Sequence, residues 1–204
     1  KLFGKFPVQF AKIFISDFKK DFFYNRKKKF NKVLIIGVQK SGTTLIEWIL
    51  SEIGYVNQVT SPLRIFYEKK LNYVHDLSTE MLSYVPNQKF TFLKRHSEAT
   101  SANLSIIKES NFKIILSIRN LKQIMISRYI HIISDKSFPQ YAKFKNLDCV
   151  EGFRLSLIEN HVKGEVPIKI FKDWLKNWEK VVKEKKIDCL LLNYNDFKNN
   201  EKNY

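Results

Sequence analysis

The chain has 204 residues, 44% hydrophobic and 14% aromatic, which suits one domain with a substantial core and excludes a disordered chain. Its 36 Lys and Arg against 20 Asp and Glu give a net charge of +16, which favours an anionic partner: a nucleotide, an acidic polymer, nucleic acid or a membrane surface. A merely solvated lysine-rich surface explains the excess equally well. No run approaches the roughly 20 apolar residues of a spanning helix, and no secretory pattern is visible. Cys149 and Cys189 suggest neither a metal site nor a disulfide framework, and are expected as small buried residues in a reducing, cytoplasmic setting. The chain opens on Lys1 and not on methionine, which leaves room for an upstream segment and a membrane anchor outside this sequence.

Residues 1–31 stand apart. Phe6, Phe10, Phe14, Phe18 and Phe22 recur every four residues among lysines, Pro7 suits a first helical turn, and a basic run at 26–29 closes the segment. This pattern predicts an amphipathic helix packed on the body of the domain, with a peripheral membrane contact or a dimer contact as the alternatives. The remainder, 32–204, reads as one α/β domain.

Residues 33–36 are four apolar strand formers, followed by Gly37-Val-Gln39-Lys40-Ser41-Gly42-Thr43-Thr44 and then by Leu45, Ile46, Ile49, Leu50 and Ile53 at helical spacing. A strand, a tight polar loop and a helix start make an anion cradle, because backbone N–H groups and the positive helix end point to one place. Lys40 adds a charge, and Ser41, Thr43 and Thr44 add hydroxyls. The bland alternative is an ordinary strand–turn–helix with a solvated lysine.

A turn-rich stretch around 60–62 and a mixed segment through Leu82 follow. Residues 89–94 read as a second strand, 101–109 as a helix, 112–118 as a third strand and 121–133 as a helix. The polar span 134–146, with Phe138-Pro139, is expected to be a loop. Helical stretches near 150–158 and 168–185 precede a last strand at 188–193. Strands alternating with helices predict a parallel α/β sheet.

The position of the loop glycine separates two phosphate chemistries. A Walker A loop carries lysine directly after its second glycine, whereas Lys40 precedes Gly42 by two residues. The order Lys40-Ser-Gly42-Thr-Thr resembles the 5′-phosphosulfate loop of the sulfotransferases. Three further segments resemble the same family in the same order. Lys94-Arg-His96 at the second strand's end is similar to its Lys-x-His, Arg119 with Ser127 eight residues later to its 3′-phosphate clamp, and the segment from Leu190 through Tyr194 to Lys198 to its strand ending in Tyr-Glu-Asp-Leu.

The resemblance implies a three-layer α/β sandwich, a central parallel sheet flanked by helices, P-loop-NTPase-like. It implies 3′-phosphoadenosine-5′-phosphosulfate (PAPS) as sulfuryl donor, no metal, and a small-molecule, carbohydrate or lipid acceptor, with no nucleic-acid partner expected. Gln39, Lys40, Ser41, Gly42, Thr43, Thr44, Arg119, Ser127 and Tyr194 would bind the donor. Lys40, Lys94 and His96 would be catalytic, the histidine as base. Some members use a glutamate base, which keeps Glu47 and Glu68 as alternatives. Trp174 and Trp178 resemble the family's tryptophan-bearing helix, though core packing explains them better, and His75, His131 and His161 are read as structural or solvated.

Departures from the family pattern are plain. Gln39 and Leu45 replace the usual residues before and after the loop, Leu45 standing where cytosolic members place an adenine-stacking tryptophan. The late Arg-Lys-Gly segment would lie beyond Tyr204, so a fragment or an unusually short member is expected. Two rival readings remain at this point: a P-loop nucleotide kinase or NTPase, and a non-enzymatic basic protein that binds nucleic acid or membrane.

Overall fold

The computed structural model describes residues 32–52, 54–57, 76–83, 85, 91–160 and 164–195. The expected helix over 1–31, the turn at 60–62, Glu68, His75, His161 and the end of the last motif at 196–198 lie outside them.

Five parallel strands form one sheet in the order β2-β3-β1-β4-β5: β1 Lys32–Gly37, β2 Val56–Asn57, β3 Thr91–Arg95, β4 Lys113–Ile118 and β5 Cys189–Asn193. β1 is central, and Val33, Leu34, Ile35 and Ile36 have no exposed surface. A strand covered on both faces reads as a continuous apolar run. The helices among the described residues are α1 Thr43–Glu52, α2 Thr79–Ser83, α3 Ser101–Glu109, α4 Leu121–Ser134, α5 Tyr141–Phe144, α6 Cys149–Ile158 and α7 Pro167–Lys183. This is the α/β layering that the sequence predicts.

The two faces carry separate cores. α1 packs Ile46 and Leu50 on Val33, Ile35, Phe92 and Ile115. On the other face, α7 places Phe171, Trp174, Trp178 and Val181 against Leu34, Ile36, Leu93, Ile114 and Leu116. Those α7 positions share one helical stripe, and losing such a buried aromatic to alanine costs about 3–5 kcal/mol. Core packing is therefore one role of both tryptophans.

Some details differ from the expectation. β3 runs to Arg95, one residue past the predicted end, because its ladder with β1 continues through Ile36. The span 134–146 is not all loop: α5 gives it one helical turn, which buries Phe144 against Tyr129 and Ile132. Cys149 is exposed, since it opens α6 just after the capping residue Asp148.

Candidate active site

Sheet register brings four separated segments to one edge. Gly37 pairs with Ser117, Ile36 with Arg95, and Ile118 with Asn193. The residues that come next, loop 38–42, His96, Arg119 and Tyr194, therefore leave the sheet at the carboxyl ends of its strands, where parallel sheets bind ligands.

The loop is held by its own backbone and by β4. The N–H of Ser41 donates to the carbonyl of Val38 at 3.1 Å, and the Ser41 hydroxyl donates to the same oxygen at 2.7 Å. Lys40 stands in this turn with φ 66° and Gly42 follows with φ 102°. A non-glycine residue in the left-handed region costs about 1–2 kcal/mol. The Ser41 carbonyl accepts from the Ser117 hydroxyl at 2.8 Å, and the Lys40 carbonyl accepts from Arg119 Nη1 at 3.0 Å. Since the carbonyls of Val38 and Ser41 are engaged, trans geometry turns the N–H groups of Gln39 and Gly42 away from those partners. Gly42 accepts from Leu45 and Ile46 to start α1, whose first N–H groups, on Thr43 and Thr44, lack intrahelical acceptors. Ser41 is wholly buried, so its hydroxyl serves the loop's own turn, while Thr43 is buried and Thr44 exposed.

Two glycines are required here. A Cβ on Gly37 would come within 2.5 Å of the Thr43 methyl and 2.7 Å of Ser41 Oγ, and one on Gly42 within 2.5 Å of the Tyr194 ring. Tyr194 thus lies against the loop, and the Arg119 guanidinium stands over its ring, 4.1 Å from the centroid. Arg119 also donates from Nε to Gln123 at 3.2 Å. Burial, then the neighbouring Arg119 charge, push the Lys40 ammonium below the usual lysine value, with Asp135 opposing.

The end of β3 carries the other candidates. Lys94 shares the sheet face of Phe92, towards α1, and its ammonium meets Glu47 Oε2 at 2.5 Å. Glu47, an alternative base on sequence grounds, is therefore engaged with Lys94. The half-buried His96 hydrogen-bonds through Nδ1 to the Gly37 carbonyl. A carbonyl only accepts, so Nδ1 carries the proton and the neutral ring has Nε2 as its proton-accepting nitrogen.

Gln123, Ser127 and His131 recur every four residues along one face of α4, the face that begins at Arg119. Ser127 is half-buried two turns beyond the arginine. His131, read from sequence as structural or solvated, lies within the field of Lys40. Burial first, and that lysine second, hold it below the usual histidine value, while Asp135, 3.9 Å away, opposes. Sequence reasoning missed Ser117 and His131. Helical spacing from Ser127 would have found the second.

The sulfotransferase domain family profile matches residues 30–203. The chain belongs to the sulfotransferase family. No curated protein sequence matches it. Among solved structures it is similar to mouse sulfotransferase SULT7A1 complexed with PAP, at 17% identity and a TM-score of 0.54. That likeness extends over 84% of this chain and 54% of the mouse chain, and it establishes a shared fold. This sulfotransferase-domain chain thus spans about half the length of that relative. Among its described residues no helix is long and apolar enough to cross a membrane.

Proposed function

We propose that the protein transfers the sulfuryl group of PAPS to an acceptor hydroxyl or amine. The observation that carries this reading is the placing of two half-buried cations at one loop, Arg119 donating to the Lys40 carbonyl at 3.0 Å, where burial first and the Arg119 charge second hold the lysine below its usual value. A doubly phosphorylated nucleotide would relieve the repulsion between the two cations, which is the fit expected of a site for such an anion.

In this reading Lys40 and the loop N–H groups stabilise charge growing on the departing 5′-phosphate. Arg119, with Ser127 beyond it on α4, holds the 3′-phosphate, and Tyr194 backs the nucleotide against Gly42. His96 takes the acceptor proton at Nε2, and Lys94, steadied by Glu47, faces the transferring oxygens. Positioning and charge stabilisation dominate such transfers, so the residues act chiefly by where they are held. The acceptor is a small molecule, carbohydrate or lipid, the setting is cytoplasmic, and residues 1–31 supply any membrane contact. No metal and no nucleic acid are assigned. The domain boundary follows the same division, 1–31 and 32–204.

A thermal-shift comparison of 3′,5′-ADP with 5′-ADP and ATP tests the reading. At 100 times its dissociation constant a ligand stabilises by about 2.7 kcal/mol. A shift with 3′,5′-ADP alone is expected, whereas a shift with ATP alone would overturn the reading in favour of a nucleotide kinase.

A further inference from the structure

The carbonyl of Ser97, the residue after His96, accepts from two indoles: Trp174 Nε1 at 2.8 Å and Trp178 Nε1 at 3.0 Å, 77 and 81 residues away in sequence. Both tryptophans and Ser97 are buried, and the indole rings lie 5.8 Å apart. A buried indole N–H takes an acceptor, and one donor would satisfy a strand-end carbonyl. Two donors from successive turns of α7 occupy both lone pairs and fix the plane of the peptide leaving Ser97. The serine side chain does not share this task, because its buried hydroxyl has no hydrogen-bond partner among the described residues. The next carbonyl, that of Glu98, is held by Asn103 Nδ2 at 2.9 Å.

His96 therefore sits between two anchors. Its ring is tied to the Gly37 carbonyl, and the peptide that joins Ser97 to Glu98, one residue further on, is clamped by the indole pair. We propose that Trp174 and Trp178 are positioning residues for His96, holding its ring on Gly37 and so fixing the tautomer that accepts the acceptor's proton. The proposal rests on the sulfuryl-transfer reading for the reaction that His96 serves, but not for the geometry of the clamp.

The test uses Trp174→Phe and Trp178→Phe, each of which keeps an aromatic ring and deletes one donor. Nitrogen-15 spectra of the His96 ring are expected to show one tautomer, protonated at Nδ1, in the parent and a mixture in the variants. Turnover should fall about 10-fold in each and about 10²-fold in the double variant, the scale of a misplaced catalytic group. Affinity for 3′,5′-ADP should not change. In a His96→Ala background the same tryptophan changes should cost no further turnover. Folded variants with an unaltered His96 tautomer, or equal losses in both backgrounds, would overturn the proposal. A tautomer that responds in a protein without affinity for 3′,5′-ADP would keep the clamp and sink the sulfuryl-transfer reading. If a phenylalanine variant does not fold, β-(3-benzothienyl)alanine at the same position preserves ring volume without the N–H and is read by the same spectrum.

Discussion

At the ends of β1 and β4, the proposed nucleotide side of the site is shaped by backbone: a turn with two left-handed residues, two glycines that admit no Cβ, and carbonyls bonded to Ser117 and Arg119. At the end of β3, the proposed acid–base side is shaped by side chains from elsewhere: Glu47 on Lys94, and two α7 indoles on the Ser97 carbonyl after His96. The first corner is one short turn, Val38–Gly42, braced by side chains 76 and 79 residues away, whereas the second has no such turn and is held by contacts 47, 77 and 81 residues apart. In the proposed reaction, a turn of fixed backbone suits a cradle that must meet the same phosphates at every turnover. A corner assembled from distant side chains can be adjusted one contact at a time, which suits the part of the site that meets the acceptor.

The largest effect that would break this division is on turnover. Lys40→Ala and His96→Ala should each lower it by about 10² or more, the order of a lost charge stabiliser or general base. The two corners should separate in binding, with Lys40→Ala weakening 3′,5′-ADP in calorimetry and His96→Ala leaving it intact. Normal turnover in a folded His96→Ala protein would remove the histidine as base.

Gly42→Ala comes next. It forces a side chain into the left-handed region against the Tyr194 ring, a strain of about 1–3 kcal/mol. The expected outcome is a lower melting temperature together with weakened nucleotide binding, since loop and ring must part. An unchanged melting curve would mean that the loop is held more loosely than its bonds indicate.

Arg119→Ala should act more narrowly. Hydrogen bonds to a charged group contribute about 1.5–3 kcal/mol, so 3′,5′-ADP affinity should drop by at least about 10-fold. The pH dependence sharpens the point. Burial first, and Arg119 second, depress Lys40, and a bound phosphate favours its charged form. Affinity therefore falls as pH rises through the lowered lysine value. Without Arg119 that limb should move to higher pH in calorimetric titrations. A limb that stays in place would take the arginine out of Lys40's field.

The same division explains what could be read from the sequence. β1, the loop and the start of α1 were legible because one short window holds their glycines, lysine and apolar runs. The positions of Arg119 and His96 at the carboxyl ends of strands were legible because each directly follows a strand readable in the sequence. The engagement of Glu47 with Lys94 was not, since it depends on how α1 lies on the sheet. Nor was the double indole bond, because the stripe of Phe171, Trp174, Trp178 and Val181 reads as core, which it also is. Periodicity reports which face of a helix is buried and is silent about which polar atom that face meets. The two-residue β2 gave no period at all.

The smallest expected effect concerns the core between α1 and the sheet. Tyr55 is buried with Ile46 and Leu50 of α1 beside the amino end of the sheet, and burial pushes its phenol up to about 12 from an ordinary 10. The folded protein therefore keeps the phenol neutral over an interval in which the unfolded chain ionises it. An acid whose value is raised by folding binds its proton more tightly in the native state, so stability is lost as pH rises above about 10 and stops falling beyond about 12. Many lysines titrate in the same range, which makes the difference between two proteins the informative quantity. Urea unfolding of the parent and of Tyr55→Phe should give curves that run parallel up to about pH 9 and diverge above it, with the variant losing less. Parallel curves throughout would show that the phenol reaches water, and that the core beneath α1 is more open than the packing of Ile46, Leu50 and Phe92 indicates.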